Sequence, residues 1–156
     1  MVGANSFTQA PKLYSDIAGD EEKKVEVTTK VHADGIAFIE VKGRGSLLGM
    51  KAAAHSFEAG FAILPHGLRL KIVVDLSDFE GAPLAAQLCL VEWMIRHQKR
   101  FRYVAVLGGE TMVVKIAQKI QSLLPFGKRV GLFPKNAELK LHLEKIAHED
   151  ASISHQ

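Results

Sequence analysis

Three short runs, Lys71-Ile-Val-Val-Asp75, Tyr103–Leu107 and Arg129–Phe133, are apolar at consecutive positions through their centres, and segments of helical period separate them. A strand that is apolar at every position, not every second one, has to be covered on both faces. Strands of that kind joined by helices pair in parallel through right-handed crossovers, so the chain is neither all-α nor all-β.

The helical segments carry their own signals. Leu47, Met50, Ala54, Phe57, Phe61 and Leu64 recur at steps of three and four, and Pro65 and Gly67 end that helix. A second helix begins near Pro83, a residue tolerated at a first helical position, and presents Leu84, Leu88, Val91 and Ile95. Gly108-Gly109 leads into a third helix with Met112, Ile116, Ile120 and Leu123 on one face, stopped by Pro125 and Gly127. Asn136 caps a fourth that bears Leu139, Leu143 and Ile146. Upstream, Val25, Val27, Thr29 and Val31 alternate with Glu26, Thr28, Lys30 and His32, the period of a half-exposed strand. Asp34-Gly35 supplies a tight turn, and Ile36–Val41 runs back as its partner. The predicted fold is α/β: a mixed, mainly parallel sheet of about five strands with four helices, in the order ββαβαβαβα.

A chain of 156 residues is of single-domain size and can bury a core without disulfides or metal. Residues 1–23 lack apolar periodicity and read as a flexible arm. Residues 24–147 form one body, and 148–156 read as a polar tail that frays. The single cysteine, Cys89, sits within an apolar helical pattern, which leaves no disulfide framework or CxxC metal site and fits a reducing, cytoplasmic setting. No run approaches the roughly 20 apolar residues of a spanning helix, and no signal pattern opens the chain, so no integral membrane segment is expected.

In open sheets of this type the loops leaving the carboxyl ends of the parallel strands form the binding crevice. Asp75, Ser77, Asp78 and Glu80 fall there, where acids can bind metal or act as bases. Asp and Ser also close turns, and Glu80 favours the dipole of the following helix; Asp75 reads as a turn former. Gly43-x-Gly45-x-x-x-Gly49 departs from the GxGxxG spacing of dinucleotide sites, so no cofactor is expected, although Arg44 adds an anion contact in that loop. Gly108-Gly109-Glu110-Thr111 leads from strand to helix with amides suited to an anion, for which Glu110 competes. The basic run Arg96, His97, Lys99, Arg100 and Arg102 reads as a solvated helix end, and without aromatic platforms it predicts no nucleic-acid partner. The histidines show no HxxxH or HExxH spacing, so no metal is expected. Cys89 with His55 or His97 could be drawn as nucleophile and base, but its mid-helix surroundings make it core. Phe57, Phe61, Trp93 and Met94 either pack or line a pocket for an apolar ligand.

Ile72-Val-Val-Asp75-Leu76-Ser77, followed by a loop and an apolar helix, resembles the central strand and loop of STAS domains. The likeness is to the SpoIIAA-like branch, grouped with STAS and CRAL-TRIO-like folds, through Asp78-Phe79-Glu80-Gly81, Arg100–Val106 and Gly131-Leu132-Phe133-Pro134, and it covers roughly residues 25–147. The resemblance implies a regulator switched by phosphorylation of a serine after the central strand. This chain carries Glu80-Gly81-Ala82-Pro83 where that family carries the serine, with Ser77 and Thr111 as the nearest hydroxyls.

The expectation is therefore a non-enzymatic, STAS-like binding or regulatory module acting through the carboxyl edge of its sheet. Its partner would be a regulatory protein or a small apolar or anionic ligand, bound by Arg44, Ser77, Asp78, Glu80, Gly109 and Thr111. The alternatives are a lipid-like ligand held between sheet and helices and, less favoured, a small enzyme using acids at the same edge. The apolar second helix, Ala85 to Ile95, also offers a face for a homodimer or for a membrane surface.

Overall fold

The computed structural model describes residues 7–20, 22, 24–108, 111–134 and 136–154. Six strands, β1 (Lys12–Gly19), β2 (Val25–His32), β3 (Ile36–Arg44), β4 (Leu70–Gly81), β5 (Phe101–Leu107) and β6 (Val130–Phe133), form one sheet in sequence order. The first three pair antiparallel, and β3 through β6 pair parallel. Helices α1 (Leu47–Ala62), α2 (Leu84–Arg96), α3 (Thr111–Leu123) and α4 (Asn136–Ser154) complete the expected mixed α/β architecture.

The strand count is six where about five were expected, because Lys12–Gly19, inside the segment read as an arm, adds an edge strand. Its Leu13 and Ile17 are exposed, so it lacks the apolar alternation that betrays a strand. What fixes it is contact with α1. The Tyr14 hydroxyl lies 3.0 Å from the Ser56 hydroxyl, which donates to Asp16 Oδ2 at 2.7 Å. Gly60 makes room for the ring: a Cβ there would stand 2.8 Å from Tyr14 Cδ1. On the opposite face of the sheet Phe7 stacks on Phe38 at 5.9 Å. At the other end, α4 runs on to Ser154 through a stretch read as a fraying tail.

Helices α1, α2 and α3 cover one face of the sheet, and α4 covers part of the other. On the three-helix side Trp93 joins α2 to its neighbours, with ring centroids 5.5 Å from Phe57, 6.2 Å from Phe61 and 5.9 Å from Phe101. Such aromatic pairs add about 0.5–1.5 kcal/mol each beyond their buried area. The indole N–H donates to Glu58 Oε1 at 3.0 Å, so the ring is buried without an orphaned donor. On the α4 side Leu139, Leu143 and Ile146 pack on Phe38, Val73, Ala105 and Leu107. There His142 lies between Tyr103 (4.5 Å) and Phe133 (5.2 Å), and its Nε2 has no hydrogen-bond partner among the described residues. Burial, with smaller pushes from Lys145 and Arg102 against an opposing pull from Glu149, holds its pKa below the ordinary 6.5.

Two outcomes follow from these contacts. Tyr14→Ala is expected to lower unfolding free energy by about 2 kcal/mol, the loss of a partly buried ring plus a hydrogen bond, as measured by urea denaturation; a loose arm would give no change. Because the folded state holds His142 neutral below its unfolded pKa, the unfolded chain binds more protons there. Stability should therefore decline as pH falls through 6.5 towards the lower folded value, and His142→Phe should flatten that part of the profile.

Candidate functional site

The carboxyl ends of β3, β4 and β5 and the first turns of α1, α2 and α3 meet on one edge, as parallel strands with helical returns require. This edge differs locally from the sequence expectation. Ser77, Asp78 and Glu80 are in β4 itself, not in a loop after it, and Arg44 is the last residue of β3. The extension holds because Lys42, Gly43 and Arg44 pair with Asp78, Phe79 and Gly81 across two register shifts, while Leu76 and Phe79 turn inward. Gly43 permits the corner: it has φ +86°, and a Cβ would meet the Lys24 carbonyl oxygen at 2.1 Å.

Asp75 is only 5% exposed, and its Oδ1 accepts from the Ser77 amide at 2.9 Å and the Ser77 hydroxyl at 2.6 Å. The two residues form a closed turn beside Gly108, where a Cβ would sit 2.6 Å from Ser77 Oγ and φ is +74°. Asp78 and Glu80 are exposed. Lys42, a residue the sequence did not single out, ion-pairs with Glu40 at 3.2 Å; the hydrogen bond to Glu40, with lesser attraction from Asp78, raises its pKa. The Arg44 amide donates to the Lys24 carbonyl at 2.9 Å, and its exposed side chain has no hydrogen-bond or ion-pair partner among the described residues. Thr111 is exposed at the first position of α3, and Gly109 lies outside the described residues. Among the described residues no hydrogen bond or ion pair joins any two of Arg44, Ser77, Asp78, Glu80 and Thr111, so the edge carries charge without a converged catalytic set.

A second feature is apolar. A cavity of about 190 Å³ lies between the sheet and α1, α2 and α3, and Phe57, Phe61, Trp93 and Met94 all line it. Its shape follows from side-chain size along the helices. Large rings occupy the later turns of α1 and α2, whereas Gly49, Ala53, Ala82 and Ala86 stand towards the carboxyl edge and leave space there. Ser46 and Gln87 are the two polar side chains in the lining. Both are engaged: Ser46 Oγ accepts from the Gly49 amide at 3.0 Å and donates to Asp20, and Gln87 donates to the Ala82 carbonyl at 2.9 Å. Around this edge each helix exposes a large apolar side chain in its first turn: Leu48 at 67%, Leu84 at 53% and Met112 at 57%. Helical periodicity assigned Leu84 and Met112 to core faces; their exposure is a tertiary outcome that the periodicity does not encode.

The basic run is mostly occupied within the molecule. Arg96 pairs with Glu92 at 2.8 Å, His97 with Glu58 at 3.3 Å and Arg102 with Asp150 at 3.2 Å, and Arg100 donates to the Phe61 carbonyl at 3.1 Å. Among the described residues no three His, Cys, Asp or Glu side chains are grouped to hold a metal ion, and no helix is long and apolar enough to cross a membrane.

The sequence profile of the SpoIIAA-like family matches residues 36–140. The fold is similar to that of an uncharacterised DUF3478-family protein with a SpoIIAA-like fold from Shewanella loihica PV-4. That match has TM-score 0.53 and 12% identity, over 87% of this chain and 97% of that one. It is also similar to an anti-sigma factor antagonist from Mycobacterium paratuberculosis, with TM-score 0.51 and 17% identity, over 81% of this chain and 98% of that one. No curated protein matches the sequence.

The edge separates structural from exposed acids by stability. Asp75→Ala, which leaves the Ser77 amide without its acceptor, should cost about 1–3 kcal/mol in thermal or urea unfolding. Asp78→Ala and Glu80→Ala should each stay within about 0.5 kcal/mol of the parent chain.

Proposed function

The chain belongs to the SpoIIAA-like family, and on that premise we propose that it is a cytoplasmic, non-catalytic module that regulates a protein partner through the carboxyl edge of its sheet. The observation that carries this reading is the rim of Leu48, Leu84 and Met112, three large apolar side chains exposed in the first turns of three adjacent helices. Isolated exposed apolar residues are ordinary, but a group of them bordered by charge is the composition of a protein-binding surface. Arg44, Asp78, Glu80 and Thr111 supply that border, and Gly109 lies in the same β5–α3 connection. The anti-sigma factor antagonist of similar fold supports a protein as the partner. Control by phosphorylation of a serine after the central strand is not part of the proposal: Glu80-Gly81-Ala82-Pro83 carries no hydroxyl, and the Ser77 hydroxyl is bound to Asp75.

The cavity favours a second reading, in which the same module holds a small apolar ligand. An engineered cavity of about 150 Å³ lined by aliphatic and aromatic groups binds benzene, so a space of about 190 Å³ suits a single ring or a short alkyl chain. A long acyl chain exceeds it.

Comparison of native and denaturing mass spectra of the purified chain separates the two. A small molecule released on denaturation establishes the ligand reading. A native mass equal to the bare chain leaves the protein-partner reading, and a native mass of twice the chain points instead to a homodimer. For the partner reading, a protein recovered with the tagged chain from its own cells should be lost with Leu84→Glu and retained with Leu141→Glu, an exposed control on α4. Equal recovery with both variants overturns it.

A further inference from the structure

The opposite, amino edge of the sheet holds an arrangement that the carboxyl-edge reading does not use. Arg69 immediately precedes β4, Phe101 opens β5, and Arg129 immediately precedes β6. Since β5 lies between β4 and β6, the two arginines flank the first residue of the central strand. Both reach the same atom: Arg69 Nη2 donates to the Phe101 carbonyl oxygen at 2.8 Å, and Arg129 Nη1 donates to it at 2.5 Å. Arg129 also approaches the Gln98 carbonyl at 3.5 Å, and its guanidinium lies 4.8 Å above the centre of the Phe126 ring, which sets its plane.

Two cations are thus held together by one neutral acceptor. Neither has a carboxylate within ion-pairing distance among the described residues, whereas nearby Arg102 is neutralised by Glu149 and Asp150. A guanidinium offers five N–H donors, and the contacts to Phe101 and Gln98 leave most of them unused on both side chains. Burial, then the proximity of Arg69 and Arg102, lowers the pKa of Arg129, the direction expected where like charges are crowded without a counterion. A fixed pair of planar forks with open donors fits an oxyanion that can accept from both.

We propose that Arg69 and Arg129 form an oxyanion site at the amino edge, suited to a phosphate group. The phosphate is either free or carried on a small molecule, or it belongs to a lipid headgroup. Lys99 and Lys128, exposed on the short 3-10 turns that lead into β5 and β6, add attraction at longer range without contributing to the clamp.

Titration of the full chain with inorganic phosphate at constant ionic strength, followed through the arginine Nε–H resonances and the thermal midpoint, tests the site. A saturable shift at Arg69 and Arg129 with a rise in midpoint is expected. Arg69→Gln, at an exposed position that leaves folding intact, should weaken the response by about tenfold or more, and Lys99→Gln should leave it nearly unchanged. Arg129→Lys preserves charge but not the fork and should weaken it too. Absence of a saturable response, or equal weakening by Lys99→Gln and Arg69→Gln, overturns the proposal and leaves the pair as a strut for the Phe101 carbonyl. Sedimentation with phosphatidylcholine vesicles containing phosphatidic acid then assigns the source. Recruitment that Arg69→Gln abolishes indicates a headgroup, and phosphate binding without recruitment indicates a soluble phosphate.

Discussion

Covering β4 and β5 on both faces is the constraint from which the rest of the molecule follows. Ile72 and Val104 face the layer of α1, α2 and α3, while Val73 and Ala105 face α4 and are wholly buried. Burying each valine or isoleucine contributes about 1.5–3 kcal/mol, so neither layer can be removed without exposing the centre of the sheet. Parallel pairing of β3 to β6 also sorts the strand ends. All carboxyl ends fall on one edge with the helix starts, and all amino ends fall on the other with the helix ends. The apolar rim and the arginine pair are separated because the strands run one way.

The cavity arises in the same layer that makes the core. Phe57, Phe61, Trp93 and Phe101 fill the space between helices and sheet towards the amino edge. Gly49, Ala53 and Ala86 occupy equivalent inward positions nearer the carboxyl edge, where side chains of that size leave part of the space unfilled. The aromatic half of this layer is therefore the more densely filled. A void of this kind has a cost, since its lining lacks contact atoms on one side. The dense aromatic half is placed to offset it.

Much of the fold was legible because its signals are local. The central runs of β4, β5 and β6, the Asp34-Gly35 turn, the helix start after Pro83 and the periodicity of α1 each rest on neighbouring residues alone. The misread regions depend on residues far away in the chain. β1 is mostly exposed and is held by Ser56 and Gly60 of α1. The extension of β4 through Ser77, Asp78 and Glu80 is composed of turn-forming residues, and it is a strand because Lys42, Gly43 and Arg44 lie beside it. The last turns of α4 carry Asp150, whose pairing with Arg102 and Lys71 no local pattern announces.

The candidate site divides in the same way. Its chemistry was visible as residue types near strand ends, and Phe57, Phe61, Trp93 and Met94 were visible as a group that either packs or lines a pocket. The sequence by itself determined the layered α/β fold and the order of its elements from the hairpin onward, because hydrophobic period and chain direction are encoded locally. Only the tertiary structure decided that Asp75 closes a turn with Ser77, that the small residues of two helices coincide to leave a cavity, and that Arg69 and Arg129 meet on one carbonyl. Each of these depends on the distance between residues that the chain keeps far apart, and that distance is set by how the layers pack.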